Sequence, residues 1–278
     1  SELNATSTAS ITWINLGRAT SAEIRALVSG GIKATDIMDS KTADPADTSY
    51  TKIVLSKKSL WVKMNAGQEK AAAFLETHRY AALRGGSMAF TKMEGTTVNV
   101  KDKKAYSAIS AIRDSMVVGG SGFVATNNVA FPKAISAGGV LQHNLAGGQK
   151  DSSGAAINSD WVPVSSQFIL LGEDLATADA LGNLANADKI ANPDNLKYSE
   201  KLRTLFIGED SGMHVNNFLW AYNIDSKTLT RILSCPAGAE STGLHAVDEI
   251  NGWTYIMSNF QHAGDWESPL HDIVKPTL

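Results

Sequence analysis

One strand-turn-strand module is written three times along the chain, and that repetition narrows the folds open to it. Small or acidic residues precede a first strand, a polar turn follows, and a second strand returns. The copies occupy 93–100, 101–104 and 105–109; then 193–198, 199–201 and 204–207; then 240–247, 248–252 and 253–257. Aligned on aromatic residues, Phe206 follows Tyr106 by 100 residues and Tyr255 follows Phe206 by 49. A period near 50 with one doubled step is the mark that β-propeller blades leave in a sequence. The fold class expected is therefore mainly β: a β-propeller of the six-bladed type, complete or incomplete in this chain, with short helical insertions. Equivalent acidic residues would then arrive at equivalent places around one axis.

The rest of the chain fits one domain, 1–278, or part of such a propeller. Thr20-Ser21-Ala22-Glu23 matches a capping box before a short helix near 20–29. Residues 67–83 carry a helical apolar stripe, and the Ala/Leu/Asp-rich stretch 176–190 is expected to be a helix inserted between blades. Residues 51–55 and 59–64 form a hairpin pattern, and 217–224 with 229–233, joined by Asp225-Ser226-Lys227-Thr228, fit the outer half of a blade. The Gly/Ala/Asn/Ser-rich stretch 117–157 is expected to hold long loops with one or two strands, and 162–171 another strand. The chain stops at Lys275-Pro276-Thr277-Leu278 without a closing strand pattern, the appearance of a fragment or of a site lacking one wall.

Several function classes are excluded by composition. With 25 basic against 28 acidic residues and a net charge of −3, no polyanion-binding surface is expected, so nucleic acid is not a partner. No apolar run is long enough for a membrane-spanning helix, and no secretory leader pattern follows Ser1, as in a trimmed exported protein. The single Cys235 excludes an intrachain disulfide and a multi-cysteine metal cluster. The six histidines lack zinc-site spacing, no nucleotide-binding fingerprint occurs, and Gly85-Gly86-Ser87-Met88-Ala89 lacks the last glycine of a nucleophile elbow.

Carboxylates carry the chemistry that remains. Glu94, Asp194 and Glu240 each precede an inner-strand candidate, and like charges brought that close need a compensating cation. An all-carboxylate and carbonyl set suits a hard ion such as calcium, or iron where a softer ligand joins. Glu209 and Asp210, flanked by Gly208 and Gly212 at a strand end, suit close approach to an ion or ligand. Asn216, Asn217, Asn259, Gln261 and His262 end or follow strands and could add neutral contacts.

Phe90-Thr91-Lys92-Met93-Glu94-Gly95, Pro193-Asp194-Asn195-Leu196, Ala239-Glu240-Ser241-Thr242-Gly243 and Asn259-Phe260-Gln261-His262-Ala263-Gly264 occur in that order. Together they resemble the recurrent motifs of the PhoX-type alkaline phosphatases, most strongly over 84–116 and 193–265. The resemblance implies an exported, periplasmic or secreted β-propeller that binds calcium and iron in its channel and hydrolyses phosphate monoesters. It implies Glu94 and Glu209 as metal ligands, with Asp194, Asn195, Asp210 and Glu240 beside them, and Glu209, Arg84 and His262 in catalysis, the latter two at the phosphate or leaving group. Family members are longer and carry an upstream Cys-Glu-Glu motif whose cysteine binds iron. Cys235 stands in a different context, so calcium is the ion expected of this chain, and another chain or segment would complete the propeller. A calcium-braced binding module without turnover and a calcium-dependent lactonase or esterase propeller fit the carboxylate set as well.

Overall fold

The computed structural model of the chain describes residues 2–264. Trp266, His271 and the closing stretch 275–278 lie outside the described residues. The structure is mainly β, with 41% of residues in strands and 13% in helices, arranged as several antiparallel sheets. Among the described residues these sheets close neither a barrel nor a propeller ring.

After the short strand β1 (Ala9–Ser10) comes a helical layer on a small sheet: α1 (Ser21–Ser29), α2 (Ala34–Ile37), β2 (Met38–Lys41), β3 (Thr51–Leu55), β4 (Lys58–Met64), α3 (Glu69–Leu75) and α4 (Thr77–Leu83). The β2-β4-β3 sheet and these helices share their own apolar cluster around Val62, Ala72 and Tyr80. The expected α1 forms with its capping box intact, Thr20 and Glu23 each satisfying the other's backbone N–H. The helix expected over 67–83 is two helices. Glu76 leaves helical geometry at φ −131°, and the Thr77 hydroxyl donates back to the Ala73 carbonyl at the break.

The remaining strands are β5 (Met93–Asn99), β6 (Lys104–Ile109), β7 (Gly139–Ala146), β8 (Val162–Leu171), β9 (Pro193–Ser199), β10 (Thr204–Glu209), β11 (Phe218–Asn223), β12 (Thr228–Ser234), β13 (Glu240–Ile250) and β14 (Trp253–Gln261). All three repeated modules are hairpins, β5-β6, β9-β10 and β13-β14. Two of them head larger sheets, β1-β8-β7-β6-β5 and β12-β11-β10-β9, and the third stands as a two-stranded sheet. In each case the first strand of the module lies at the sheet edge. These edges meet: β5 lies against β9, and β9 against β13.

Repetition extends to the joints. Lys92 and Asn192 both adopt left-handed backbone just ahead of their strands, at φ 49° and 43°. Their carbonyls accept from Ser110 and Asp210 respectively, again 100 residues apart. At the turn ends, the Glu200 carboxylate accepts from the Val100 N–H at 2.5 Å, and Asp248 accepts from the Ser199 hydroxyl at 2.5 Å and the Lys201 N–H at 3.2 Å. Each acid thereby ties its hairpin to the preceding one. Gly95 makes the first of these approaches possible, since a Cβ there would lie 2.5 Å from the Asp194 carbonyl oxygen and 2.8 Å from the Leu196 nitrogen. Between the two larger sheets sits a cluster including Tyr106, Val140, Leu196, Leu205 and Trp220, and Phe206, Leu219 and Ala246 form a smaller one toward β13.

The expected helix over 176–190 is absent. Asp179 accepts from the N–H groups of Leu181 and Asn183 and from the Asn183 side chain, while Asp174 bridges to Ala185. Local side-chain acceptors and a long-range bond from Leu184 to the Met213 carbonyl take the donors a helix would need.

Candidate functional site

At the bulges of the three hairpins the chain presents its candidate ligands. Between the Met93–Ile109 and Thr96–Ser107 pairs, Glu94 and Gly95 face Ala108 alone. Between Pro193–Glu209 and Leu196–Ile207, Asp194 and Asn195 face Gly208. Between Thr242–Asn259 and His245–Met257, Gly243 and Leu244 face Ser258. An extra residue at such a bulge turns a side chain out of the ladder, and Glu94 and Asp194 hold the same position. The third position is Gly243. Glu240 was expected to be equivalent to Glu94 and Asp194, and the register corrects this: it enters three residues earlier, at the start of β13.

These residues nevertheless converge. Asp194, Asp210 and Glu240 are all half-buried, and one oxygen of each lies within 4.8 Å of the others. Lys92 reaches into the group, its Nζ 3.2 Å from Glu94 Oε1 and 3.6 Å from Asp210 Oδ2. His262 Nε2 stands 3.6 Å from Glu240 Oε1 and 2.7 Å from Gln261 Nε2. Burial, and then the Glu94 and Asp210 charges, hold the Asp194 carboxyl above its ordinary range. Burial and Asp210 do the same for Glu240, with His262 pulling the other way. For Lys92, burial works against the charge, yet Glu94, Asp210 and Asp194 outweigh it and raise the ammonium. Four carboxylates against one lysine leave an excess of negative charge in a partly desolvated place.

Glu209 is turned elsewhere. It is fully buried, and its Oε1 accepts from the Ala191 N–H at 2.8 Å and the Trp220 indole N–H at 2.6 Å. Its Oε2 accepts from the Phe218 N–H at 2.9 Å and faces His214 Nδ1 at 3.0 Å. A carboxylate has about four acceptor sites; three N–H donors and the His214 ring surround this one. The expectation that Glu209 is a ligand and a catalytic group gives way to a structural role, the clamping of β11 and residue 191 onto the end of β10. Asn195 follows Asp194 in the bulge with its Cα against Gly95, and no hydrogen bond ties its side chain to the acids among the described residues.

Arg84 is likewise outside the acidic group. It caps α4, donates to the Tyr80 hydroxyl at 3.0 Å, and lines a separate cavity beneath the N-terminal segment. Lys92 is the residue the sequence reading did not single out. It stands inside the first quoted motif, and a lysine two residues before an acid carries no signal by itself.

The donor set decides which ion would fit. Three carboxylates with a fourth nearby suit a hard, oxygen-seeking cation such as calcium. Cys235 stands outside this group, buried, with its thiol pKa pushed up to about 11, chiefly by burial. No helix of the described residues is long and apolar enough to cross a membrane. Compared with family models, with curated proteins and with solved structures, the chain matches none.

Proposed function

We propose that this chain is a calcium-dependent phosphate monoester hydrolase of the PhoX type, acting in an exported compartment. Its acidic group would lie in the channel of a six-bladed propeller that another chain or segment completes. The observation that carries the reading is the convergence of Asp194, Asp210 and Glu240 from two neighbouring hairpins onto one point. The side-by-side strands β5, β9 and β13, each step tied by a carboxylate of one hairpin accepting from the turn of the one before, support the propeller frame.

Asp194, Asp210 and Glu240 would hold the ion, with Glu94 alongside. When bound, the cation would supply positive charge for the phosphate oxygens as a water oxygen bonds to phosphorus, giving up its proton to solvent, and the ester P–O bond breaks. Lys92 would swing from Glu94 and Asp210 toward a phosphate oxygen, since its ammonium carries three donors on a flexible stem. His262, beside Glu240, would hand a proton to the departing alcohol oxygen. The partial burial of Asp194, Asp210 and Glu240 lowers the local dielectric and strengthens these contacts while leaving water access to the site.

The test is calcium titration by calorimetry beside hydrolysis of 4-nitrophenyl phosphate at alkaline pH. Calcium binding with turnover that a chelator abolishes is the expected result. Equal turnover with and without chelator would end the reading. A second reading, a calcium-braced module without turnover, is favoured by one observation: among the described residues the lysine at the acids is already paired, and Arg84 lines another cavity. Calcium binding without hydrolysis of any phosphate, lactone or carboxylic ester tested selects it.

A further inference from the structure

Away from the acids, the N-terminal segment, the end of α4 and the sheet of β7 and β8 enclose a cavity of about 480 Å³. That volume falls in the usual range of small-molecule sites, roughly 300–1,000 Å³. Its walls are largely apolar, with Leu3, Ile11, Phe90, Val129 and Leu141 among them. Among the described residues the lining holds no Asp, Glu or Lys, and Arg84 is the permanently charged group there. The guanidinium has a single hydrogen-bond partner among the described residues, the Tyr80 hydroxyl, and pairs with no carboxylate there; most of its five N–H donors are therefore uncommitted.

The second polar feature is neutral. His143 projects from β7 with Nδ1 2.7 Å from the Ser166 hydroxyl and Nε2 3.1 Å from the Ser107 hydroxyl. Burial lowers its affinity for a proton, and no acid faces it in the cavity. An apolar cavity with an exposed guanidinium at its edge, over the Tyr80 ring and paired with no carboxylate among the described residues, favours a ligand that brings an apolar body and a single negative head.

We propose that this cavity binds a small amphipathic organic anion, a carboxylate on an apolar body, with Arg84 holding the head group and the walls of Leu3, Phe90, Val129 and Leu141 holding the body. Ser166, held by His143, presents a neutral hydroxyl along its path. The site is independent of the acidic group and stands whether or not the chain hydrolyses phosphate esters.

The experiment is calorimetric titration of the full chain with decanoate, decanol and decylamine. Decanoate binds at least about tenfold more tightly than decanol, the scale of one charge-assisted contact, and decylamine binds most weakly. Arg84→Gln weakens decanoate about tenfold and leaves decanol unchanged, while Arg84→Lys restores part of the preference. Ile11→Trp, which fills the chamber from its exposed strap, weakens decanoate and decanol together. Absence of saturable binding to all three probes overturns the proposal, as does equal affinity for the three. So does an Arg84→Gln protein that binds decanoate as the wild type does.

Discussion

Glu209 and Asp210 are chain neighbours with opposite fates. The first is fully buried and accepts hydrogen bonds at both oxygens from donors on three segments of backbone and side chain. The second is half-buried and shares its surroundings with Asp194, Glu240 and a lysine that cannot balance them all. Burial alone therefore does not identify a ligand. A satisfied acid is an anchor, and a crowded, half-buried one is a candidate place for a cation.

The largest test of that contrast is Glu209→Gln. The amide nitrogen faces the Ala191 and Trp220 donors at one position and the Phe218 N–H at the other, so at least one buried donor is left unpaired and the clamp loosens. A loss of about 3 kcal/mol or more is expected in urea denaturation. Calcium affinity in the folded fraction stays within about twofold, well below the 1.4 kcal/mol that a tenfold change represents. A variant that keeps its stability and loses calcium would break the comparison and return Glu209 to the ligand set.

Gly95→Ala probes the joint that brings the acids together. The added methyl meets the Asp194 carbonyl and the Leu196 nitrogen, both backbone atoms that cannot step aside. About 1–3 kcal/mol of destabilisation follows from overpacking of this kind. Thermal unfolding with and without calcium separates the two consequences, and the calcium-induced rise in midpoint should shrink because Asp194 is displaced. An unchanged midpoint would mean that the hairpins do not meet at Gly95.

The same contrast explains what the sequence made legible. The three hairpins could be read because alternating strands and polar turns are local signals, and the 100-residue spacing of the first two survives in the matched backbone at Lys92 and Asn192. The convergence of Asp194 with Glu240 could be expected from that repeat, even though Glu240 enters from a different register. Glu209 could not be told from Asp210, because Trp220 and His214 become its partners only once β11 folds back. Arg84 looked equally suited to a phosphate and lines another cavity, a matter of tertiary placement. The helix expected over 176–190 failed for a local reason: Asp179 and Asn183 offer the backbone an alternative set of bonds.

Asp210→Asn sharpens the crowded side of the comparison. One negative charge leaves the group while shape is kept, so calcium binding weakens about tenfold or more, equivalent to about 1.4 kcal/mol. In chelator the same variant is as stable as the wild type or slightly more so, because repulsion with Asp194 and Glu240 is relieved. The pair of measurements matters more than either alone, since a general packing defect would lower stability in both conditions.

The smallest effect is the most specific, and it lies in pH. Folding raises the Asp194 and Glu240 carboxyls above their unfolded values, through burial first and neighbouring acids second. Such a group costs nothing below its unfolded pKa, where both states are protonated, and its cost grows as pH rises through the raised folded value. Asp194→Asn removes that cost. In chelator the variant should be more stable than the wild type near neutral pH, and the difference should fade as pH is lowered toward about 4, the ordinary carboxylate range. Acids held low by their partners, such as Asp102 beside Arg203, lose stability on acidification in both proteins, so they cancel in the difference. Excess calcium at neutral pH should reverse the order, because only the wild type gains the full binding energy. A difference that stays flat with pH, or an order that calcium does not change, would mean that these carboxylates are solvated singly and that their convergence holds no ion.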